Sequence, residues 1–396
     1  MANEILNLVE GIHLEKGIDK EFVFQVLEDA LLAAARKIFG ADKDLAVFID
    51  RTTGDITAFD GNEQIDTKEL GRIAAQTAKQ VVLQRIREAE CDQIYREFKA
   101  KEGTLTTGSV QRFEGPSVYV NLGKCEGVLP KKEQVPGETY RAGMRVRCLI
   151  VEVKRIPALV RIVLSRTHPD FVRRLFELEV PEIAEGLVQI ANVVREPGYR
   201  SKVAVSTREN KIDSVGACVG IRGTRIRNII AELNGERIDI VRWTNNTEEL
   251  IANALKPAEV QSITLNRVLK RARAIVSEEQ LSLAIGRKGQ NVRLASKLCG
   301  WEIDVLRRNE AEEEERELIE ALRRVNGVSE SLIRRIYPSG FSLAQLACIS
   351  SEALSEALKL DLATAEEIVK RSQTAMEELA KKHKAEAEGD EQGGEK

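Results

Sequence analysis

Histidine, paired cysteines, aromatic residues and long apolar runs are all scarce in this chain, and each shortage removes a class of function. Only three histidines occur in 396 residues, His13, His168 and His383. They lie in three separate regions, none near a Ser or Cys nucleophile with a third partner, which argues against an enzyme of the nucleophilic type. The six cysteines, Cys91, Cys125, Cys148, Cys218, Cys299 and Cys348, are far apart, with no CxxC and no histidine nearby. That argues against zinc and against a disulfide frame, and for reduced thiols in a cytoplasm. No stretch reaches the ~18 consecutive apolar residues of a membrane span. The start, Met1-Ala2-Asn3-Glu4, is acidic and is not an apolar leader. Gly123-Lys124 lacks the GxxxxGK[ST] spacing of a phosphate loop, so no nucleotide cofactor is expected.

Charge is abundant by contrast, and unevenly spread. Residues 1–103 hold 14 basic against 20 acidic side chains, residues 104–167 hold 11 against 5, residues 168–308 hold 23 against 18, and residues 309–396 hold 12 against 20. The net charges are −6, +6, +5 and −8. A basic middle suits a polyanion; the acidic ends do not.

The middle also contains a repeat. Gly220-Ile221-Arg222-Gly223 and Gly286-Arg287-Lys288-Gly289 lie 66 residues apart. Glycine is common enough that roughly two isolated GxxG matches arise by chance, so the bare pattern is weak. The shared context is much more specific. Each copy is succeeded by an amphipathic helical stretch (residues 224–234 and 290–299), a glycine (Gly235, Gly300) and a short strand, Ile238-Asp239-Ile240 or Ile303-Asp304-Val305. Upstream, each copy reads helix, strand, strand, helix. The repeated order α-β-β-α-GxxG-α-β is that of tandem type II KH modules, which hold single-stranded RNA. The chemistry arises from the glycines. A phosphodiester has to approach the backbone closely, and the helix begun by the loop turns its free N–H groups and positive dipole end toward it. Candidate RNA-binding residues are therefore Gly220, Ile221, Arg222, Gly223, Arg225 and Arg227, with Gly286, Arg287, Lys288, Gly289, Asn291 and Arg293 in the second copy; Ile285 is a candidate groove residue. Asp239 and Asp304 resemble a metal pair, yet each occupies the same place in its repeat, which explains them by symmetry.

The remaining chain divides readily, and the fold class expected is multidomain α+β. Asp19 caps a helix to about residue 39, with Phe22, Val26, Leu27, Ala30, Leu31 and Ala34 on its apolar side and Gly40 as its stop. Strands at 45–50 and 55–59 and a long helical pattern over 66–98 complete an N-terminal α+β domain over 1–103. Short strands at 109–113, 118–122, 127–129, 145–153 and 159–164 predict a five-stranded OB-fold barrel over 104–168. The KH domains fall at 169–247 and 248–309, with His168 as a linker residue and Thr247 as a helix cap. An acidic run at 310–317, a helix-hairpin-helix-like turn at 325–329 and spaced leucines predict a small helical domain over 310–385. The Glu/Gly-rich tail, 386–396, is expected to be disordered.

Long strings in this order resemble the NusA family of bacterial transcription elongation, termination and antitermination factors. They include Gly71-Arg72-Ile73-Ala74-Ala75-Gln76-Thr77-Ala78-Lys79-Gln80, Arg166-Thr167-His168-Pro169, Arg195-Glu196-Pro197-Gly198-Tyr199-Arg200, Val215-Gly216-Ala217-Cys218-Val219-Gly220 and Gln280-Leu281-Ser282-Leu283-Ala284-Ile285-Gly286. The resemblance covers roughly residues 1–308. It implies a cytoplasmic, monomeric, non-enzymatic factor whose N-terminal domain docks on RNA polymerase near the RNA exit channel. Barrel and KH domains would receive nascent single-stranded RNA, with other antitermination factors as further partners and no membrane. In the resembled barrel two aromatics and a histidine form the nucleic-acid face; here Tyr119 alone aligns, with Pro116 and Pro130 in the other places. An RNA-processing enzyme and a ribosome-associated KH protein are the alternatives. For residues 309–396 two readings stand side by side: a −8 segment drawn onto the basic middle, where it covers part of the RNA path, or an independent module on a tether.

Overall fold

The computed structural model describes residues 2–16, 19–40, 43–61, 63–65, 84, 87–156, 159–209, 211–325, 328–336 and 339–393. The chain forms two units, residues 1–134 with 140–166, and residues 135–139 with 167–396.

In the first unit the helix Lys20–Phe39 starts where Asp19 accepts a hydrogen bond from the Glu21 N–H at 2.9 Å. Its buried stripe runs through Val23, Phe24, Leu27, Leu31 and Ala35 and packs on the sheet formed by Leu45–Ile49, Ile56–Asp60 and Glu63–Ile65. Phe22, expected on the apolar side, is 43% exposed. With ~100° of rotation per residue, a stripe centred on positions 23, 27 and 31 turns position 22 outward. The leading helix Ala2–Lys16 and the third strand carried too little local signal to be expected from sequence. Most of the helical pattern expected over 66–98, with the string at 71–80, lies outside the described residues; residues 87–99 are helical, and Phe98 is buried in the core of the adjoining barrel.

That barrel closes from Leu105–Glu114, Ser117–Asn121, Glu126–Leu129, Arg145–Ile156 and Leu159–Ser165, in the order first, second, third, fifth, fourth. The third and fifth strands pair parallel, and the fourth pairs back onto the first. Alternating residues, Val118, Val120, Cys148, Ile150, Ile162 and Leu164, fill its interior. The Arg112 guanidinium lies 4.2 Å from the Tyr119 ring centroid and is itself held by Glu114 and Glu126. One face of the single aligned aromatic is thus already covered by a cation.

In the second unit each KH domain has a three-stranded sheet with the same plan. In the first, Val188–Glu196 is antiparallel and Arg237–Arg242 parallel to the central strand Arg200–Thr207. In the second, Val260–Asn266 and Glu302–Arg307 flank Arg271–Val276 likewise. Two caps differ from expectation. His168 caps the helix Pro169–Glu179, its Nδ1 accepting from the Asp170 N–H at 3.2 Å. Asn246, not Thr247, caps Thr247–Leu255, because the cap's carboxamide oxygen reaches the Glu248 and Glu249 N–H groups. One core joins the two KH domains: Ala204 and Val241 of the first pack with Leu250, Ile251, Ala254, Ala295 and Leu298 of the second.

The helices Arg308–Arg323, Glu330–Ile336, Leu343–Cys348, Ser351–Leu358 and Leu362–Gly393 form the C-terminal domain around Leu318, Leu322, Ile336, Phe341, Leu346, Leu354 and Ile368. The acidic run at 310–317 belongs to the first of these helices, which buries Ala311 and Leu318 on one side. The last helix continues through residue 393, where a disordered tail was expected from 386. Residues 326 and 327 of the expected hairpin turn lie outside the described residues. Among the described residues no helix is long and apolar enough to cross a membrane.

Candidate nucleic-acid interface

Both GxxG loops interrupt a pair of helices, Ser214–Val219 and Thr224–Glu232 in the first domain, Glu278–Ile285 and Gln290–Cys299 in the second. Their backbones agree within a few degrees. Gly220 and Gly286 adopt φ/ψ of 74/172 and 72/174, Arg222 and Lys288 adopt 51/25 and 53/30, and Gly223 and Gly289 adopt 73/22 and 70/17. Two loops of different sequence thus hold one strained shape, with an arginine or lysine in the left-handed region at the tip. Strain of this kind persists only where its surroundings enforce it.

The two glycines of each loop serve different ends. A Cβ on Gly286 would lie 2.8 Å from Asn291 Cβ and 3.0 Å from the Asn291 nitrogen, and one on Gly220 would lie 2.7 Å from Arg225 Cγ. The first glycine is therefore pressed against the succeeding helix. Gly289 has nothing within 4 Å of that position, and Gly223 has only Ile226 at 3.8 Å. The second glycine leaves its backbone bare on the outer side, where a phosphate can approach.

At the tips, Ile221, Arg222, Arg287 and Lys288 are exposed, Ile221 to 85%. Neither guanidinium nor the Lys288 ammonium is engaged with an acid among the described residues. The other candidates are engaged by groups of the chain itself. Arg225 donates to the Ala217 carbonyl at 2.6 Å and pairs with Glu182 at 2.9 Å. Asn291, at the equivalent position, is fully buried and donates to the carbonyls of Leu255, Leu283 and Ala284. Both brace the loop from beneath, Asn291 wholly buried and Arg225 partly so. Arg227 donates to the Arg222 carbonyl at 2.7 Å, tying the tip to its helix. Arg293 is turned to Glu196, 2.7 Å away.

Glu196 had no assigned role from sequence. It accepts from Arg293 and from Gln290 Nε2, so a strand of the first KH domain grips the helix start of the second. The Arg293 hydrogen bond holds its carboxyl below the usual range despite partial burial. Glu236 is likewise unforeseen: it is fully buried, pairs with Arg195 at 2.8 Å and accepts from Ser201 and the Gly198 N–H. Asp239 pairs with Lys202 at 2.9 Å and Arg200 at 2.7 Å, whereas Asp304 sits in the second sheet, so the two do not meet as metal ligands.

Comparison with known proteins agrees with this arrangement. Models of the NusA-like first KH domain, the NusA-like second KH domain and the NusA N-terminal domain match residues 166–243, 247–313, and 4–66 with 60–92. The chain is 41% identical over 345 residues to the transcription termination/antitermination protein NusA of Bacillus subtilis, covering 79% of this chain and 93% of that protein. It is 44% identical over 316 residues to the NusA of Mycobacterium tuberculosis H37Rv, covering 75% and 91%, and 37% identical over 338 residues to that of Rickettsia conorii, covering 76% and 67%. With its N-terminal domain and paired KH domains in the same order, this chain belongs to the NusA family of transcription termination/antitermination proteins.

Proposed function

We propose that this chain is a non-enzymatic factor that docks on RNA polymerase through its N-terminal domain near the RNA exit channel. It binds nascent single-stranded RNA through both KH loops and so modulates pausing, termination and antitermination. The observation that carries the reading is the pair of superimposable loops, each with bare backbone at its second glycine and uncommitted cations at its tip. The core shared by the two KH domains holds the loops in one fixed relation, which suits a single strand lying across both.

The test reverses charge at the tips. Arg222→Asp with Arg287→Asp and Lys288→Asp places carboxylates where phosphate would sit, at exposed positions that the fold does not need. RNA affinity is expected to collapse, and the salt dependence to flatten by about 0.7 in log–log slope per lost contact. Circular dichroism checks that the variant is folded. A folded variant that binds single-stranded RNA like the parent refutes the reading. In the same assay with Mg²⁺ and phosphate, shortening of the labelled RNA would favour a processing enzyme. Residues 1–103 are expected to carry the polymerase contact, scored by pull-down and by pause lifetime.

A further inference from the structure

The outer strand of each KH sheet, Arg237–Arg242 or Glu302–Arg307, pairs on one side only among the described residues. Its free peptide edge borders a hollow. In the first domain that hollow measures about 1030 Å³; Ile238 and Ile240 line one side, and Ala252, Lys256 and Ala258 of the second KH domain line the other. In the second domain it measures about 770 Å³. Ile285 and Val292, on either side of the loop, and Ile303 line one wall; Ala344, Gln345 and Cys348 of the C-terminal helical domain line the other. Each groove is thus completed by the next domain in the chain.

The cation behind the second sheet is held differently from its counterpart in the first. By register, Arg273 faces Asp304 as Lys202 faces Asp239. Lys202 is fully buried and bonded to its partner. Arg273 Nη2 is buried without a hydrogen bond, and the Glu314 carboxylate is 3.6 Å away. Burial also pushes the Asp304 carboxyl up. Aliphatic walls and a free strand edge suit a flat ligand with hydrogen-bonding edges. The volume lies within the ~300–1,000 Å³ of small-ligand pockets.

We propose that the C-terminal helical domain is part of the RNA site, and that a nucleobase whose phosphate is held at Gly286-Arg287-Lys288-Gly289 is enclosed between the strand Glu302–Arg307 and the helix Leu343–Cys348. This rests on the RNA-binding reading above. RNA is favoured over an added peptide strand because the hollow opens beside the loop and its cations. The domain therefore walls the RNA path and does not plug it, in contrast to the covering role expected from charge alone.

Ala344 and Cys348 are exposed and line the hollow, so Ala344→Trp and Cys348→Trp fill it without touching the helical core. In the full chain each is expected to weaken a mixed-sequence single-stranded RNA oligonucleotide about tenfold, the effect of losing one stacked base. Bound RNA is expected to slow alkylation of Cys348, read by peptide mass spectrometry, and to have no such effect in the charge-reversed loop variant. Affinity unchanged or raised by the tryptophans, with alkylation unaffected by RNA, overturns the proposal; protection by an added peptide strand and not by RNA overturns it too. If those results appear while loop reversal still abolishes binding, the RNA-binding reading stands alone. If loop reversal leaves binding intact, that reading is what fails.

Discussion

Replacing the glycines of the second loop one at a time separates shape from function. Gly286 sits at φ 72 and ψ 174, a region essentially restricted to glycine, and a side chain there costs of order 1–3 kcal/mol before any contact is counted. The added Cβ would also meet the backbone nitrogen of Asn291 at 3.0 Å, inside a helix that cannot retreat while the Asn291 amide holds three carbonyls. Gly286→Ala is therefore expected to destabilise the second KH domain by about 3 kcal/mol or more. Gly289 lies in the ordinary left-handed region with open space around it, so Gly289→Ala costs roughly 1–2 kcal/mol. Gly220→Ala falls between, because the atoms it meets belong to the Arg225 side chain. Native-state hydrogen exchange of the amides in Gln290–Cys299, and in Thr224–Glu232 for Gly220→Ala, reads these differences locally, without assuming that a multidomain chain unfolds in one step. RNA titration of the same variants gives the second axis. Gly289→Ala is expected to lose far more affinity than its small stability loss explains, since its methyl group occupies the phosphate approach. If Gly286→Ala costs no more stability than Gly289→Ala, or Gly289→Ala binds RNA normally, the division of labour is wrong.

Two further perturbations probe what holds the loops in register. Glu196 has a carboxyl pKa depressed chiefly by Arg293, so its contribution is present above the ordinary value near 4.5 and is lost as pH falls through the lower folded value. The joint between KH domains is expected to loosen only in that acid window, and Glu196→Gln to flatten the response, as seen by exchange at Gln290 and Arg293 across a pH series. In the first sheet, Asp239→Ala strands Lys202, fully buried, together with Arg200, and is expected to cost about 3–5 kcal/mol. Lys202→Met removes the buried charge and leaves Asp239 paired with Arg200, so it is expected to cost much less; equal losses in chemical denaturation of the two variants would contradict that difference.

The KH repeat, the element order and the strands of the barrel are legible in the chain alone, because these depend on neighbours. Caps, glycines with positive φ, and periods of two or 3.6 residues act over a few positions, so Asp19, Gly220 and Gly286 announced their roles directly. Even there a one-residue phase error put Phe22 on the wrong side of its helix, since nothing local distinguishes positions 22 and 23. What each polar side chain near the loops does depends instead on packing between distant segments. Arg225 meets Glu182 across 43 positions, Arg293 meets Glu196 across 97, and Asn291 reaches Leu255 across 36. A charge near a phosphate-binding loop reads the same in sequence whether it points outward or is paired beneath. The arginines at Arg222 and Arg287 and the arginine at Arg225 differ in that single respect, which depends on distant chain brought close by a shared hydrophobic core. The place of the C-terminal domain beside the second groove was beyond sequence for the same reason: net charge states that it is attracted, and only packing states where it rests.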